Sequence, residues 1–96
     1  MTREKLLEVT EFYIRWFRLN GHGDLNSHAP NKALNHCHHM CRVMRDELIP
    51  QSRTEKAMRW LGFVQGVLFA RGEFTVAELK EHSRPADGQL DPRGDV

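Results

Sequence analysis

The segment NHCHHMC, residues 35–41, places three histidines and two cysteines within seven positions. Zinc requires about four such ligands in a tetrahedral array, and on a helix only residues three or four positions apart converge. Cys37 and Cys41 have that spacing, but a free cysteine in an apolar seam behaves as a small buried apolar residue. The same seam continues at helical spacing through Leu34, Met44 and Leu48. The pattern therefore predicts two core thiols and three partly exposed imidazoles, and no metal site.

Two of the histidines are candidate ligand contacts. His36 and His39 are three positions apart, so they share one side of the predicted helix. From there they could meet His22 or His28 of the preceding loop. Imidazoles in this arrangement can donate hydrogen bonds and offer a stacking surface.

A basic cluster opens the third predicted helix. Arg53, Lys56 and Arg59 fall within its first two turns, where free N–H groups and the helix dipole favour an anion. This predicts a phosphate-binding site. The alternative is a solvated basic face paired with acidic neighbours, which contributes little. Those neighbours are Asp46, Glu47 and Glu55.

Gln65 interrupts an apolar run at residues 60–70. A buried amide must find partners or cost about 1–3 kcal/mol. A neighbouring helix, a second copy of the chain or a ligand could supply those partners. Gly62 and Gly66 lie in the same run, and each costs about 1 kcal/mol relative to alanine in a helix interior. That cost indicates close approach of another backbone or of a ligand.

No catalytic constellation is visible in the sequence. It contains no glycine-rich phosphate loop, no nucleophile elbow and no zinc-protease motif. The two seam cysteines are too enclosed for nucleophilic chemistry. We expect a protein that is not an enzyme and has neither catalytic residues nor a cofactor.

The residues above are positioned by an all-α fold. Apolar spacing and start and stop signals predict a small bundle of three main helices plus a short fourth. Their expected ranges are 3–19, 30–50, 53–70 and 76–82. Ser52–Glu55 and Thr75–Glu78 fit the capping-box pattern at the starts of the third and fourth helices. Residues 1–84 form one helical domain, and the polar, Pro- and Gly-rich residues 85–96 predict a disordered tail.

Length, charge and cysteine content limit the cellular compartment and the binding partners that we expect for this protein. A chain of 96 residues with net charge +1 offers no bulk attraction to nucleic acid, so a nucleic-acid partner is not expected. No signal peptide or membrane span is visible, and two cysteines four apart predict a reduced, cytoplasmic protein. The run 60–70 is apolar nearly all round, and so short a chain cannot cover it. This predicts a homo-oligomer.

The segment PQSRTEKAMRWLGFVQGVLFARG resembles a group of small helical proteins from temperate phages. The residues that carry the resemblance are Arg53, Glu55, Lys56, Arg59 to Phe63, Gln65, Gly66, Leu68 and Ala70. A fainter similarity is to phage anti-CBASS sponge proteins. It is carried by Pro50, Ser52, Arg53, Glu55, Lys56, Gln65, Phe69 and Ala70. This second resemblance implies an oligomer in the host cytoplasm that sequesters cyclic oligonucleotide signals between subunits without cleaving them.

Three functions are compatible with these features. The first is a phage counter-defence protein that binds a nucleotide-type immune signal without catalysis, using Arg53, Lys56, Arg59, Gln65, His36 and His39. The second is a protein–protein inhibitor of a host defence or metabolic enzyme, similar to an anti-CRISPR. The third is a DNA-binding regulator that would use the short helix VAELKEH. It is the weakest of the three, because this helix is acidic where a recognition helix should be basic.

Overall fold

The computed structural model describes residues 1–84. Its helices are α1 (Arg3–Leu19), α2 (Ala33–Val43), α3 (Thr54–Ala70) and α4 (Val76–His82). A 3-10 turn, Pro30–Lys32, leads into α2, and a π turn, Met44–Leu48, continues it. Within residues 1–84 there is no strand, which confirms the predicted all-α fold with three main helices and a short fourth. The predicted disordered tail lies outside the described residues.

The first helix begins and ends where the sequence predicts. The hydroxyl of Thr2 accepts a hydrogen bond from the Lys5 N–H at 3.1 Å, which satisfies one of the free donors of the first turn. At the other end, Gly21 takes a left-handed φ of +77° that suits glycine. The buried side of α1 packs against α2 through Leu6, Val9, Tyr13, Ile14 and Phe17.

The apolar seam of the second helix is the centre of the core. Its five predicted members are all buried, namely Leu34, Cys37, Cys41, Met44 and Leu48. The seam also extends past α2, because the π turn keeps the chain helical until the turn at residues 49–52. There the Ile49 N–H donates to the Met44 carbonyl at 2.9 Å.

The start of α3 differs from the prediction. Ser52 does not cap α3: it has a φ of +59°, and α3 begins at Thr54 with no side-chain cap at Arg53. The reason lies in the preceding helix, which ends in a Schellman arrangement. The Arg53 N–H donates to the Leu48 carbonyl at 2.8 Å and the Ser52 N–H donates to the Ile49 carbonyl at 3.0 Å. Ser52 is thus the left-handed terminator of one helix rather than the cap of the next.

The second predicted capping box is present. The Glu78 N–H donates to the Thr75 hydroxyl at 3.1 Å, and the Thr75 N–H donates to the Glu78 carboxylate at 2.9 Å. This cap starts α4, which lies against α1. Phe74, just before α4, lies 5.2 Å from the Trp16 ring of α1, and Leu79 of α4 is partly buried against the core.

The third helix is buried on one side only. It contributes Ala57, Leu61, Val64 and Leu68 to the core, while Met58, Phe63 and Phe69 on its other side are exposed. No helix within residues 1–84 is both long and apolar enough to cross a membrane.

Candidate functional site

The six residues predicted to contact a ligand lie in three separate places on the monomer. Arg53, Lys56 and Arg59 stay together at the start of α3. Gln65 is in a polar cluster where α1, α3 and α4 meet. His36 and His39 lie on the side of α2 that faces the preceding loop. Their roles as ligand contacts remain predictions.

The basic start of α3 is open to solvent. Arg53 is exposed and makes no ion pair with any residue of the described range. Lys56 places its Nζ 5.2 Å from the centre of the Trp60 ring, a cation–π contact. Arg59 Nη1 lies 3.4 Å from Glu55 Oε1, and both side chains are exposed. Such a pair is worth about 0–1 kcal/mol, so it leaves Arg59 available to a stronger anion.

The absence of a cap changes the electrostatics of this end. Glu55 was expected to fold back onto the Ser52 backbone, and it instead extends towards Arg59. No side chain of residues 1–84 caps the first turn of α3 at Arg53. The positive end of the helix dipole therefore adds to the three cations, with Glu55 as the acidic residue in the first turn.

The polar cluster is built around Tyr13, which is fully buried. The Gln65 amide nitrogen donates to the Tyr13 hydroxyl at 3.0 Å and to the Ser83 hydroxyl at 2.9 Å. The hydrogen of Tyr13 is then free to donate to His82 Nδ1, 2.7 Å away. The cluster joins three helices through one chain of hydrogen bonds, and it satisfies the amide of Gln65 within the monomer.

The surroundings of the cluster shift two pKa values. Burial raises the pKa of Tyr13 to about 12, and the nearby Cys41 acts in the same direction while the Gln65 hydrogen bond opposes it. Burial also lowers the pKa of His82 below its ordinary value of 6.5. Both shifts favour the neutral forms, which are the forms that the Tyr13 to His82 hydrogen bond requires.

The histidines of α2 have three different environments. His38 is buried, stacks on Phe17 at 5.6 Å between ring centres, and contacts the His22 carbonyl through Nδ1 at 2.7 Å. His39 Nδ1 lies 2.9 Å from Asp24 Oδ1, on a carboxylate that Arg42 also approaches. His36 is half-buried, and its Nδ1 is enclosed without a hydrogen-bond partner among the described residues.

His36 also lines a pocket of about 310 Å³ between the loop before α2 and the exposed side of α3. The pocket opens beside Phe63 of α3. Its other walls are Ser27, His28, Ala29, Pro30 and Ala33.

The cysteines and histidines do not converge. Within residues 1–84 no group of three or more His, Cys, Asp or Glu side chains is placed to hold a metal ion. Cys37 and Cys41 are buried free thiols. Burial raises the pKa of Cys37 to about 11 and raises that of Cys41 as well. Because the thiolate is the nucleophile, these raised pKa values disfavour nucleophilic chemistry at both side chains.

The exposed side of α3 carries three large apolar side chains, and we refer to it as the α3 face. Phe63 is 55% exposed, Phe69 52% and Met58 40%. Gly62 and Gly66 lie between them, and a β-carbon added to either would meet no atom within 4 Å. Nothing in the described part of the chain therefore requires glycine at these two positions.

Sequence reasoning missed Tyr13, His82 and Ser83 as polar partners. The one signal that pointed to the cluster was Gln65, a lone amide in an apolar run that needed partners. A comparison of the chain with protein-family models, with curated proteins and with solved structures finds no match in any of the three.

Proposed function

We propose that this protein is a phage counter-defence protein of the host cytoplasm that binds and sequesters a phosphate-bearing nucleotide signal without catalysis. We further propose that it does so as a homo-oligomer assembled through the α3 face. The observation that carries the proposal is the open start of α3, where Arg53, Lys56 and Arg59 fall within the first two turns of a helix whose terminus no described side chain caps.

The support for an anionic ligand is electrostatic. Free N–H groups and the dipole at a helix start bind phosphate without further residues, and three cations within two turns add to that attraction. The in-chain partners of Lys56 and Arg59 are a ring face and an exposed carboxylate. Both partners are weak enough for a phosphate to replace, since a charge-assisted contact contributes about 1.5–3 kcal/mol.

The support for self-association is the α3 face. Gly62 and Gly66 each cost about 1 kcal/mol relative to alanine in a helix interior, and no atom of residues 1–84 within 4 Å of their β-positions accounts for that cost. Glycines four apart let two helix backbones approach closely. Met58 and Phe69, which are 40% and 52% exposed, would then be covered by the partner. Phe63 lies at the other edge of the α3 face, beside the pocket, and would stay accessible.

The helix dipoles and the basic start of α3 favour a second copy in antiparallel orientation. An antiparallel pair sets the two α3 dipoles in opposite directions, which is favourable. It also keeps the cations at the start of one α3, namely Arg53, Lys56 and Arg59, away from those of the other copy.

Native mass spectrometry at micromolar concentration, with and without a cyclic dinucleotide, tests both parts. We expect a dimer or larger assembly that retains the nucleotide. The double variant Arg53→Ala/Lys56→Ala should assemble but lose the nucleotide. The variant Arg15→Ala/Lys80→Ala removes the same two residue types from exposed positions elsewhere and should keep it. Equal retention by the two double variants would contradict the proposed binding site.

The second candidate is a protein–protein inhibitor of a host enzyme. The observation that favours it is again the exposure of Phe63 and Phe69, because an apolar helix face can bind a foreign protein as well as a second copy. A chain that stays monomeric and binds no phosphate-bearing ligand in the same experiment would make this candidate the better one.

A further inference from the structure

The pocket beside Phe63 combines one exposed aromatic ring, two imidazoles and apolar walls. The His28 and His36 rings lie 5.3 Å apart between centres and are tilted by 59°. Ala29, Pro30 and Ala33 supply the apolar walls. Ser27 accepts the Ala29 N–H at 3.2 Å, which orders the loop and leaves the hydroxyl hydrogen free to donate. At about 310 Å³ the pocket is at the small end of ligand sites.

The environment of His36 fixes which of its nitrogens can serve a ligand. Nδ1 is enclosed and has no hydrogen-bond partner among the described residues. A proton there would leave a buried donor unsatisfied, which costs about 1–3 kcal/mol. The neutral ring therefore carries its proton on Nε2. Burial and the nearby His28 and His39 also lower the pKa of His36, so the neutral form persists at physiological pH.

Phe63 supplies the stacking surface. Its side chain is 55% exposed although it forms a pocket wall, so one ring face is available at the pocket mouth. Flat aromatic rings stack on such a surface, and an imidazole donor beside it suits a ring that carries an acceptor nitrogen or oxygen. Among residues 1–84, the pocket lining contains no Asp, Glu, Lys or Arg, which favours a ring without charge.

From this arrangement we infer that the pocket binds the uncharged heteroaromatic ring of a small molecule, stacked on Phe63 and hydrogen-bonded by His36. Arg59 is four positions before Phe63 and thus one helical turn away on the same side of α3. An anionic group attached to the ring can reach Arg59 and the basic start of α3. The inference rests on the proposed function and assigns the ring and the phosphate of one nucleotide to two adjacent subsites.

Titration with adenosine, which has the ring but no phosphate, tests the ring subsite by NMR. We expect saturable shifts of the His28 and His36 imidazole signals and of the Phe63 ring signals. Phe63→Leu keeps an apolar side chain and should weaken adenosine binding about fivefold or more, as expected on loss of one stacking contact. Phe12→Leu is the matched control, because Phe12 is also an exposed phenylalanine but lies on α1, outside both the pocket and the α3 face. It should leave the affinity unchanged.

The remaining outcomes separate this inference from the proposed function. Equal weakening by the two leucine variants, or no shift at His36, overturns the ring subsite. If a cyclic dinucleotide still binds through Arg53 and Lys56 in that case, the proposed function survives. If the pocket signals respond to protein concentration and not to adenosine, the occupant is a second copy and the inference is wrong.

Discussion

The Tyr13 hydroxyl oxygen lies 2.7 Å from His82 Nδ1, so a fully buried side chain of α1 holds the last residue of α4. The His82 ring also packs edge-on against Phe74 at 4.9 Å and lies 4.8 Å from the Phe12 ring. These contacts and Leu79 attach the short fourth helix to the bundle. α4 therefore depends on one buried hydrogen bond and a small aromatic cluster.

Replacing Tyr13 by Phe should lower the free energy of unfolding by about 1–2 kcal/mol, because it leaves His82 Nδ1 and one Gln65 hydrogen without partners. Urea denaturation of the variant measures the loss. A double-mutant cycle with His82→Leu isolates the pair, and we expect a coupling energy of at least about 0.5 kcal/mol. Additive effects of the two substitutions would show that the hydrogen bond contributes nothing.

Stability should fall as pH drops below 6.5. The pKa of His82 is lowered in the folded protein relative to its ordinary value of 6.5, and that of His36 is lowered as well. The unfolded chain then binds protons more tightly than the folded protein does. The stability that these two histidines contribute is therefore constant above pH 6.5 and decreases as the pH falls from there to their folded pKa values. Around His82, Glu78 and Glu81 oppose the shift and Lys5 adds to it.

Urea unfolding between pH 7.5 and 5, compared for the native protein and His82→Leu, measures the contribution of His82. The variant should lose part of the pH dependence, and His36→Ala should remove a further part. A native profile that is flat across this range would contradict the neutral Tyr13 to His82 hydrogen bond.

The loss of stability at alkaline pH should depend on Tyr13. Its pKa is raised to about 12 in the folded protein from an ordinary value of 10.0. The contribution of Tyr13 to the free energy of unfolding is therefore fully present below pH 10 and is lost as the pH rises towards 12. Near-ultraviolet absorbance follows formation of the tyrosinate. Because Tyr13 is the only tyrosine in the sequence, a transition near pH 10 in the folded protein would show that the hydroxyl is not buried.

Periodicity and local start and stop signals were sufficient for the helices. The seam from Leu34 to Leu48 and the caps at Thr2 and Thr75 depend on neighbours a few positions away, so the sequence displays them directly. Ser52 was wrongly predicted to cap α3, because it also lies at the end of the preceding helix and terminates that helix instead. Its side chain fits a cap of α3, but the hydrogen bonds to Ile49 and Leu48 place its backbone in the left-handed region.

Ser52→Gly should therefore raise stability. A left-handed φ costs a residue with a side chain about 1–2 kcal/mol, and Ser52 has a φ of +59°. Glycine removes that cost but gains freedom in the unfolded chain, so we expect a net gain of about 0.5–1 kcal/mol. Thermal unfolding of Ser52→Gly against Ser52→Ala, which keeps the strain, provides the comparison. A loss of stability in the glycine variant would restore Ser52 as the cap of α3.

The polar cluster could not be predicted in the same way. Tyr13, Gln65 and His82 are separated by 52 and 17 positions along the chain, and only the packing of α1, α3 and α4 brings them together. The pocket has the same origin, since His28 and Phe63 come from different elements. By contrast, Arg53, Lys56 and Arg59 are neighbours on one helix, so their proximity was visible in the sequence.

Substitutions at the two glycines of the α3 face should affect the stability of the monomer and its assembly in different ways. A β-carbon at Gly62 or Gly66 meets nothing within 4 Å, and alanine is favoured over glycine in a helix interior by about 1 kcal/mol. Gly62→Ala/Gly66→Ala should therefore stabilise the monomer by about 1–2 kcal/mol. Urea denaturation at low protein concentration measures this gain.

Larger side chains at the same positions should have the opposite effect on assembly. Gly62→Leu/Gly66→Leu keeps two good helix formers on α3 but would hold a second backbone away from it. If the protein assembles through the α3 face as proposed, sedimentation should show an oligomer for the native protein and a monomer for this variant. Ala77→Leu adds similar bulk at an exposed position of α4 and should leave the oligomer intact. If the leucine pair assembles as well as the native protein does, the two glycines are not at the interface. The second copy would then have to bind elsewhere.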